Sequence, residues 1–216
     1  TTDKSAEEKI AQLKALGAEV LVCPNHVPSD DPQSYYSQAE RLAREIPNSF
    51  YVNQYYNHTN VDAHYHSTGP ELWNQTGGLI THYLATVGTG GTISGAGKYL
   101  KEQNPSIKVI GVDAEGSVLT KFHQTGILDK SEIHSYQLEG VGKNIIPSNV
   151  EFDTIDRFVK VDDRSSAFRA RQLTKSEAIF AGYSSGAVIE ALMRMRREFK
   201  PTDVVVLLFA DHGSKY

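Results

Sequence analysis

An α/β fold with a largely parallel sheet is what this chain of 216 residues predicts. Apolar runs of strand length alternate along it with amphipathic stretches of helical period, the pattern of strands joined by crossover helices. A glycine-rich turn at 88–92 feeds one such run directly into a helix. The hydrophobic content of 39% suffices to bury a real core in one or two domains.

The elements follow in order. Residues 5–17 read as a helix: Ser5 can cap it, Glu7 and Glu8 suit the positive end of its dipole, and Gly17 ends it. Ile10, Ala11 and Leu13 would form its inner face. A buried strand at 18–23, a loop at 24–31 and a mixed amphipathic helix at 32–45 come next, and Pro47 breaks that helix. Phe50, Tyr51 and Val52 suggest a short strand, and 53–69 an irregular polar segment that crosses between domains or faces a ligand. A helix is expected at 70–75, then a strand at 83–87. Beyond the glycine turn, Ile93, Ala96 and Leu100 recur at helical spacing until Pro105 stops them. A buried strand at 108–113 ends at Asp113, where open parallel sheets hold ligands. The region 120–135 is loop-rich, and Gly140 and Gly142 mark a second glycine turn. The remaining elements are strands at 157–161, 178–181 and 204–209, with helices between. Phe168 and Leu173 face inward on the first of these helices, and Val188, Leu192 and Met195 on the second.

A helix that starts straight after a tight turn points free N–H groups and its positive dipole end at the bend, which makes an anion site. Gly88, Gly90 and Gly91 let an anion approach the backbone, and Thr89 and Thr92 add hydroxyl donors. Neither standard nucleotide spacing is met. The sixth position of a G-x-G-x-x-G reading is Ile93, and Gly95 is followed by Ala96 where a P-loop needs Lys. Gly182-x-Ser184-x-Gly186 also matches a hydrolase nucleophile elbow, with Asp203 or Asp211 and then His212 downstream in the required order. Only one helix and one strand separate Ser184 from His212, and no HGGG-type oxyanion loop is present, so a serine hydrolase ranks as a minor alternative. His58, His64 and His66 lack both a cysteine partner and i, i+4 spacing, so no metal site is predicted.

A net charge of −4 without a basic run argues against nucleic acid as a partner. No apolar run has membrane-spanning length and no signal peptide is visible, so no membrane partner is expected. The single cysteine, Cys23, excludes a disulfide framework and suits a reducing cytoplasm. The chain begins at Thr1 without an initiator Met and reads as a processed, trimmed or partial product.

Taken together, Asn53-Gln54-Tyr55, Ala63-His-Tyr65, Thr68-Gly-Pro70-Glu, Gly88-Thr-Gly-Gly-Thr92, Gly140-Val-Gly142 and Tyr183-Ser184-Ser-Gly186 resemble the pyridoxal-phosphate enzymes of the cysteine synthase and cystathionine β-synthase family. The segment Gly111-Val-Asp113-Ala-Glu-Gly-Ser117 is similar to the cystathionine β-synthase branch. The resemblance implies the fold-type II architecture (tryptophan synthase β-like), incomplete here. Residues 1–55 would be a remnant of the smaller, mobile domain and 56–216 the larger cofactor-binding domain. It implies pyridoxal 5'-phosphate as cofactor, with Gly88, Thr89, Gly90, Gly91 and Thr92 on its phosphate and Ser184 at its ring nitrogen. Gln54, Gly140 and Gly142 would lie on the substrate side. The implied reaction is β-replacement on serine, or an activated serine, by a thiol such as homocysteine or sulfide, in a homodimer taking small amino-acid and thiol substrates. No lysine stands in the family's Ser-x-Lys-Asp-Arg context, which the resemblance places upstream of Thr1, and Lys143 stands where cystathionine β-synthases often carry Tyr. A non-catalytic family member serving as a binding or dimerisation module is the main alternative.

Overall fold

A computed structural model describes all 216 residues. Its sheet has four parallel strands: β1 (His82–Thr86), β2 (Lys108–Ala114), β3 (Arg157–Val161) and β4 (Val205–Leu207), in the order β3-β2-β1-β4. Leu84 at the centre of β1 stands opposite Ile110 on one side and Leu207 on the other. The helices are α1 (Glu7–Ala15), α2 (Tyr35–Glu45), α3 (Thr59–His66) and α4 (Thr68–Gln75) before the sheet. After β1 come α5 (Gly91–Gln103), α6 (Leu119–Thr125), α7 (Asp163–Glu177) and α8 (Tyr183–Met195). None is long and apolar enough to cross a membrane.

The two faces of the sheet carry separate cores, because successive side chains of a strand point to opposite sides. Tyr83 and Ala85 join Ile93, Ala96 and Leu100 of α5 on one face. Leu84, Ile110 and Val112 join Ala187, Val188, Ala191 and Met195 of α8 on the other. Ile93 and Leu100 are fully buried, each stabilising the fold by about 1.5–3 kcal/mol. Glycine sets the closest approaches. A Cβ on Gly95 would lie 2.2 Å from the Val61 carbonyl oxygen of α3, and one on Gly186 would lie 2.0 Å from that of Ser166 on α7. Helices α3 and α5, and α7 and α8, therefore touch backbone to backbone.

The strands at 83–87, 108–113, 157–161 and 204–209 and the helices between them are found within a few residues of the expected bounds. The N-terminal quarter departs more. Residues 18–23 form no strand beyond one parallel bridge from Cys23 to Thr2, and Leu21 and Val22 are exposed. Asp3 N–H donates to the Cys23 carbonyl and Cys23 N–H to that of Thr1. Ser5 does not cap α1; its hydroxyl bonds Thr1, while Glu139 Oε1 accepts from the Ala6 amide at 3.0 Å. No α1 residue is buried, so the expected Ile10, Ala11 and Leu13 face covers no core. Residues 50–52 are irregular, with Phe50 exposed.

Two helices form where irregular chain was expected. Helix α3 lies inside 53–69, a segment without apolar period whose one buried helical residue is Val61. Its close seat on Gly95 is a tertiary contact that local spacing does not encode. Helix α6 occupies the start of the 120–135 region that reads as loop-rich. Asp113 organises it, accepting from the Thr120 amide at 3.0 Å and hydroxyl at 2.7 Å. Asp113 is thus a buried structural carboxylate, with burial pushing its pKa up against those hydrogen bonds. The segment 178–181 supplies only one bridge, Ala181 to His212, and Phe168 on α7 faces solvent while Leu173 is buried.

Candidate active site

The 88–92 loop sits at the C-terminal end of β1 and opens α5. Gly90 is the N-cap, with φ of 94°, a left-handed conformation that glycine adopts without strain. A side chain there would collide with the backbone of Asn149 and Val150, 2.6 to 2.7 Å from the added carbon. No side chain caps α5. The amides of Gly90, Thr92 and Ile93 have no carbonyl partner, and that of Gly91 reaches the Thr89 hydroxyl only at 3.4 Å. The loop therefore offers unpaired N–H groups, two hydroxyls and the positive end of a thirteen-residue helix.

Helix α3 braces this cradle. Asn60 Nδ2 donates to the Thr89 hydroxyl at 3.2 Å and to the Gln54 carbonyl at 2.8 Å. His64, one turn on, has Nε2 3.1 Å from the Thr92 hydroxyl and Nδ1 2.8 Å from that of Thr68. Burial holds the His64 pKa below its ordinary value, which favours the neutral ring. The sequence reading missed both residues as cradle supports. Their i, i+4 spacing would have shown them on one face had 59–66 been recognised as helical.

Ser184 lies in the first turn of α8, 5% exposed. Its hydroxyl donates to Asp211 Oδ1 at 3.4 Å, and Tyr216 OH donates to Asp211 Oδ2 at 2.5 Å. Burial, together with Asp211, pushes the Tyr216 phenol far up, so it stays a donor. A Cβ on Gly182 would lie 2.1 Å from Asp211 Oδ1, so the glycine lets the carboxylate reach the helix start. Lys9 Nζ bridges to Glu139 Oε2 at 2.9 Å and stands 3.9 Å from Asp211 Oδ2. The Ser184 support and the 139–142 turn thus share one lysine.

That turn rests on the cradle. Gly142 N–H donates to the Val87 carbonyl at 2.7 Å, and a Cβ on Gly88 would lie 2.6 Å from the Gly140 carbonyl oxygen. Gly140 and Gly142 have φ of 73° and 72°. Both line a cavity of about 1230 Å³ together with Gln54, Tyr55, Lys143 and Lys4. Gln54 is anchored by its carbonyl, which accepts from Asn60 and from Asn149 Nδ2. Its side chain is exposed on the cavity wall. The cradle and Ser184 do not line this cavity.

The hydrolase relay is not assembled: Ser184 meets Asp211, whereas His212 Nδ1 bonds the Ser214 hydroxyl at 2.8 Å. His58 lies between Asp62 and Glu151, 3.2 and 3.1 Å from their carboxylates.

The cradle fits a phosphate group. It offers donors without a bonded carboxylate, and its glycines leave room that a side chain would fill. The chain is 37% identical over 214 residues to cystathionine beta-synthase of Apis mellifera, covering 99% of this chain and 42% of that protein. Cysteine synthase B of Pseudomonas aeruginosa is 33% identical over 215 residues, covering 99% and 65%. The crystal structure of an O-acetylserine dependent cystathionine beta-synthase from Helicobacter pylori superposes with a TM-score of 0.88 at 32% identity, covering all of this chain and 67% of that one. The chain spans 42 to 43% of the length of the cystathionine beta-synthases of Apis mellifera and Saccharomyces cerevisiae. The model of the family described as "Pyridoxal-phosphate dependent enzyme" matches residues 1–211, and the chain belongs to that family.

Proposed function

We propose that the protein carrying this chain performs β-replacement on serine or an activated serine with a thiol. Cystathionine would arise from serine and homocysteine, or cysteine from O-acetylserine and sulfide. The observation that carries this is the uncapped start of α5, whose free amides and Thr89 and Thr92 hydroxyls stand directly beside the 140–142 turn. When bound, the pyridoxal phosphate supplies an electron sink that makes the Cα proton of an amino acid labile and its β-substituent able to leave.

The residues of this chain orient and enclose. Gly88, Thr89, Gly90, Gly91 and Thr92 would hold the phosphate, with Asn60 and His64 fixing the two threonine hydroxyls. Ser184 would meet the ring nitrogen with a neutral hydroxyl, its one proton turning from the long 3.4 Å contact with Asp211 to the nitrogen, which does not enforce a protonated ring as a carboxylate would. That suits elimination and re-addition at the β-carbon. Gly140 and Gly142, lacking side chains, would leave the substrate room, and Gln54 would lie near its carboxylate. Residues 1–55 would belong to a smaller mobile domain and 56–216 to the cofactor-binding domain, in a homodimer.

The test is visible absorbance of the protein with pyridoxal phosphate. Serine or O-acetylserine is expected to shift the band and a thiol to restore it. A band that no amino acid moves would overturn the enzymatic reading and favour a non-catalytic binding module.

A further inference from the structure

Two cations face the large cavity beside the 140–142 turn without an anion to meet them. Lys143 Nζ donates to the Tyr55 phenol oxygen at 3.0 Å and lies 4.6 Å from the centre of that ring. Lys4 Nζ lies 3.7 Å above the ring of Tyr136. Neither ammonium is in an ion pair, although lysines 9, 101, 108 and 160 all are. The nearby carboxylates are engaged elsewhere. Asp163 accepts from the amides of Gln137 and Leu138, and Glu139 from Ala6 and Lys9. The other carboxylate on the cavity wall, Asp30, is exposed to solvent.

The geometry of the wall keeps these charges in place. Tyr55 is 6% exposed and its hydroxyl is 2.8 Å from that of Tyr35. An ammonium can only donate, so the Tyr55 oxygen accepts from Lys143 and its own proton is free for Tyr35. Lys143 is pinned by its backbone, its amide donating to the Ser117 hydroxyl and its carbonyl accepting from the Val118 amide, each at 2.9 Å. Burial, with Lys143 adding to it, lowers the Lys4 pKa to about 8 against the opposing pull of Asp163 and Glu139. Two half-buried like charges that share a wall are a cost to the fold, and a bound anion offsets it.

We infer that Lys4 and Lys143, walled by Tyr55 and Tyr136, form an oxyanion subsite for a substrate that carries a negative group beyond the α-carboxylate of the serine. The inference rests on the proposed reaction, which puts the 140–142 turn on the substrate side. The oxyanion could be a phosphate ester on the β-oxygen of serine or the carboxylate of the incoming thiol, and both present the same chemistry to the lysines.

The holoenzyme tests this by calorimetric and absorbance titration with L-serine, O-phospho-L-serine and inorganic phosphate, and by KM for L-homocysteine against sulfide. The variants are Lys143→Gln, Lys4→Gln and Lys143→Arg, each with its unfolding midpoint checked. If the oxyanion is the phosphate ester, O-phospho-L-serine binds about tenfold or more tightly than L-serine, in line with charge-assisted hydrogen bonds. That ratio collapses in both Gln variants and recovers in the Arg variant. If it is the thiol's carboxylate, the Gln variants raise KM for L-homocysteine and leave that for sulfide. The subsite is overturned if neither the phosphoserine-to-serine ratio nor the homocysteine-to-sulfide ratio depends on the lysines. Lysine-dependent binding of inorganic phosphate with no absorbance response to any amino acid would instead retain the subsite and overturn the reaction.

Discussion

The bracing of the cradle by α3 makes a quantitative prediction at Gly91. An added methyl carbon there would stand 2.1 Å from Asn60 Oδ1 and 2.4 Å from its Cγ, so the whole amide obstructs it. The backbone of Gly91 is not in the left-handed region, so alanine is otherwise suited to this first helical position. To admit the methyl, Asn60 must swing away from the Gln54 carbonyl and the Thr89 hydroxyl. Two hydrogen bonds at about 0.5–1.5 kcal/mol each give a loss of roughly 1–3 kcal/mol, with residual overpacking added. The gain in helix propensity returns up to about 1 kcal/mol. Gly91→Ala is therefore expected to cost about 1–3 kcal/mol net, read from urea unfolding midpoints at unchanged slope. Asn60→Ala loses the same two bonds but clears the space. The double variant is then expected to be no less stable than Asn60→Ala alone, a coupling of about 1–3 kcal/mol in the double-mutant cycle. Additivity of the two substitutions within about 0.5 kcal/mol would refute the contact.

Two further expectations follow from the same structure. Gly186→Ala puts a carbon 2.0 Å from the Ser166 carbonyl oxygen, where backbone rather than a movable side chain is in the way. It is expected to cost roughly 3 kcal/mol or more by separating α7 from α8, and a loss under about 1 kcal/mol would contradict that packing. His64 has a folded pKa below its unfolded one, so the unfolded chain takes up the proton first. Its contribution to stability is full above about pH 6.5 and is lost as pH falls through the lower folded value. The stability gap between wild type and His64→Gln should shrink on acidification below about pH 6.5, and a gap independent of pH would show that the ring is not held neutral.

How much of this was legible in the sequence depended on what each signal encodes. The sheet and its main helices were readable because Tyr83, Leu84, Ile93, Leu100, Val112 and Val188 are buried in a pattern set by local period. The anion cradle was readable because its donors are backbone amides placed by glycines adjacent in sequence. Asn60 and His64 were not, since α3 owes its shape to contact with Gly95 rather than to an apolar stripe. Asp211 entered the sequence reading only as one of two candidate acids, with Asp203, in the minor hydrolase alternative; in the structure it meets the Ser184 hydroxyl rather than His212. Lys4 carried no signal at all, because its neighbour Lys143 is 139 positions away and the two meet only through the fold.

The same contrast divides the molecule by the kind of force that holds it. Beneath the cradle, α5 contributes Ile93, Ala96 and Leu100 to a fully buried core, so the loop it carries stands on apolar packing. Helices α1 and α2, by contrast, bury no residue at all. Helix α1 is tied down by Glu139, which takes the Ala6 amide and Lys9, and by Lys9 lying 4.0 Å above the ring of Tyr216. A segment held by such part-buried polar ties, with no apolar core beneath it, belongs to the more easily opened parts of a fold. The 88–92 cradle is thus built on the apolar core, and the wall that carries Lys4 on the side without one. Lys9 joins the two, since it meets both Glu139 beside the glycine turn and Asp211 behind Ser184. A shift of Lys9 away from Asp211 would alter the charge that stands behind the Ser184 hydroxyl.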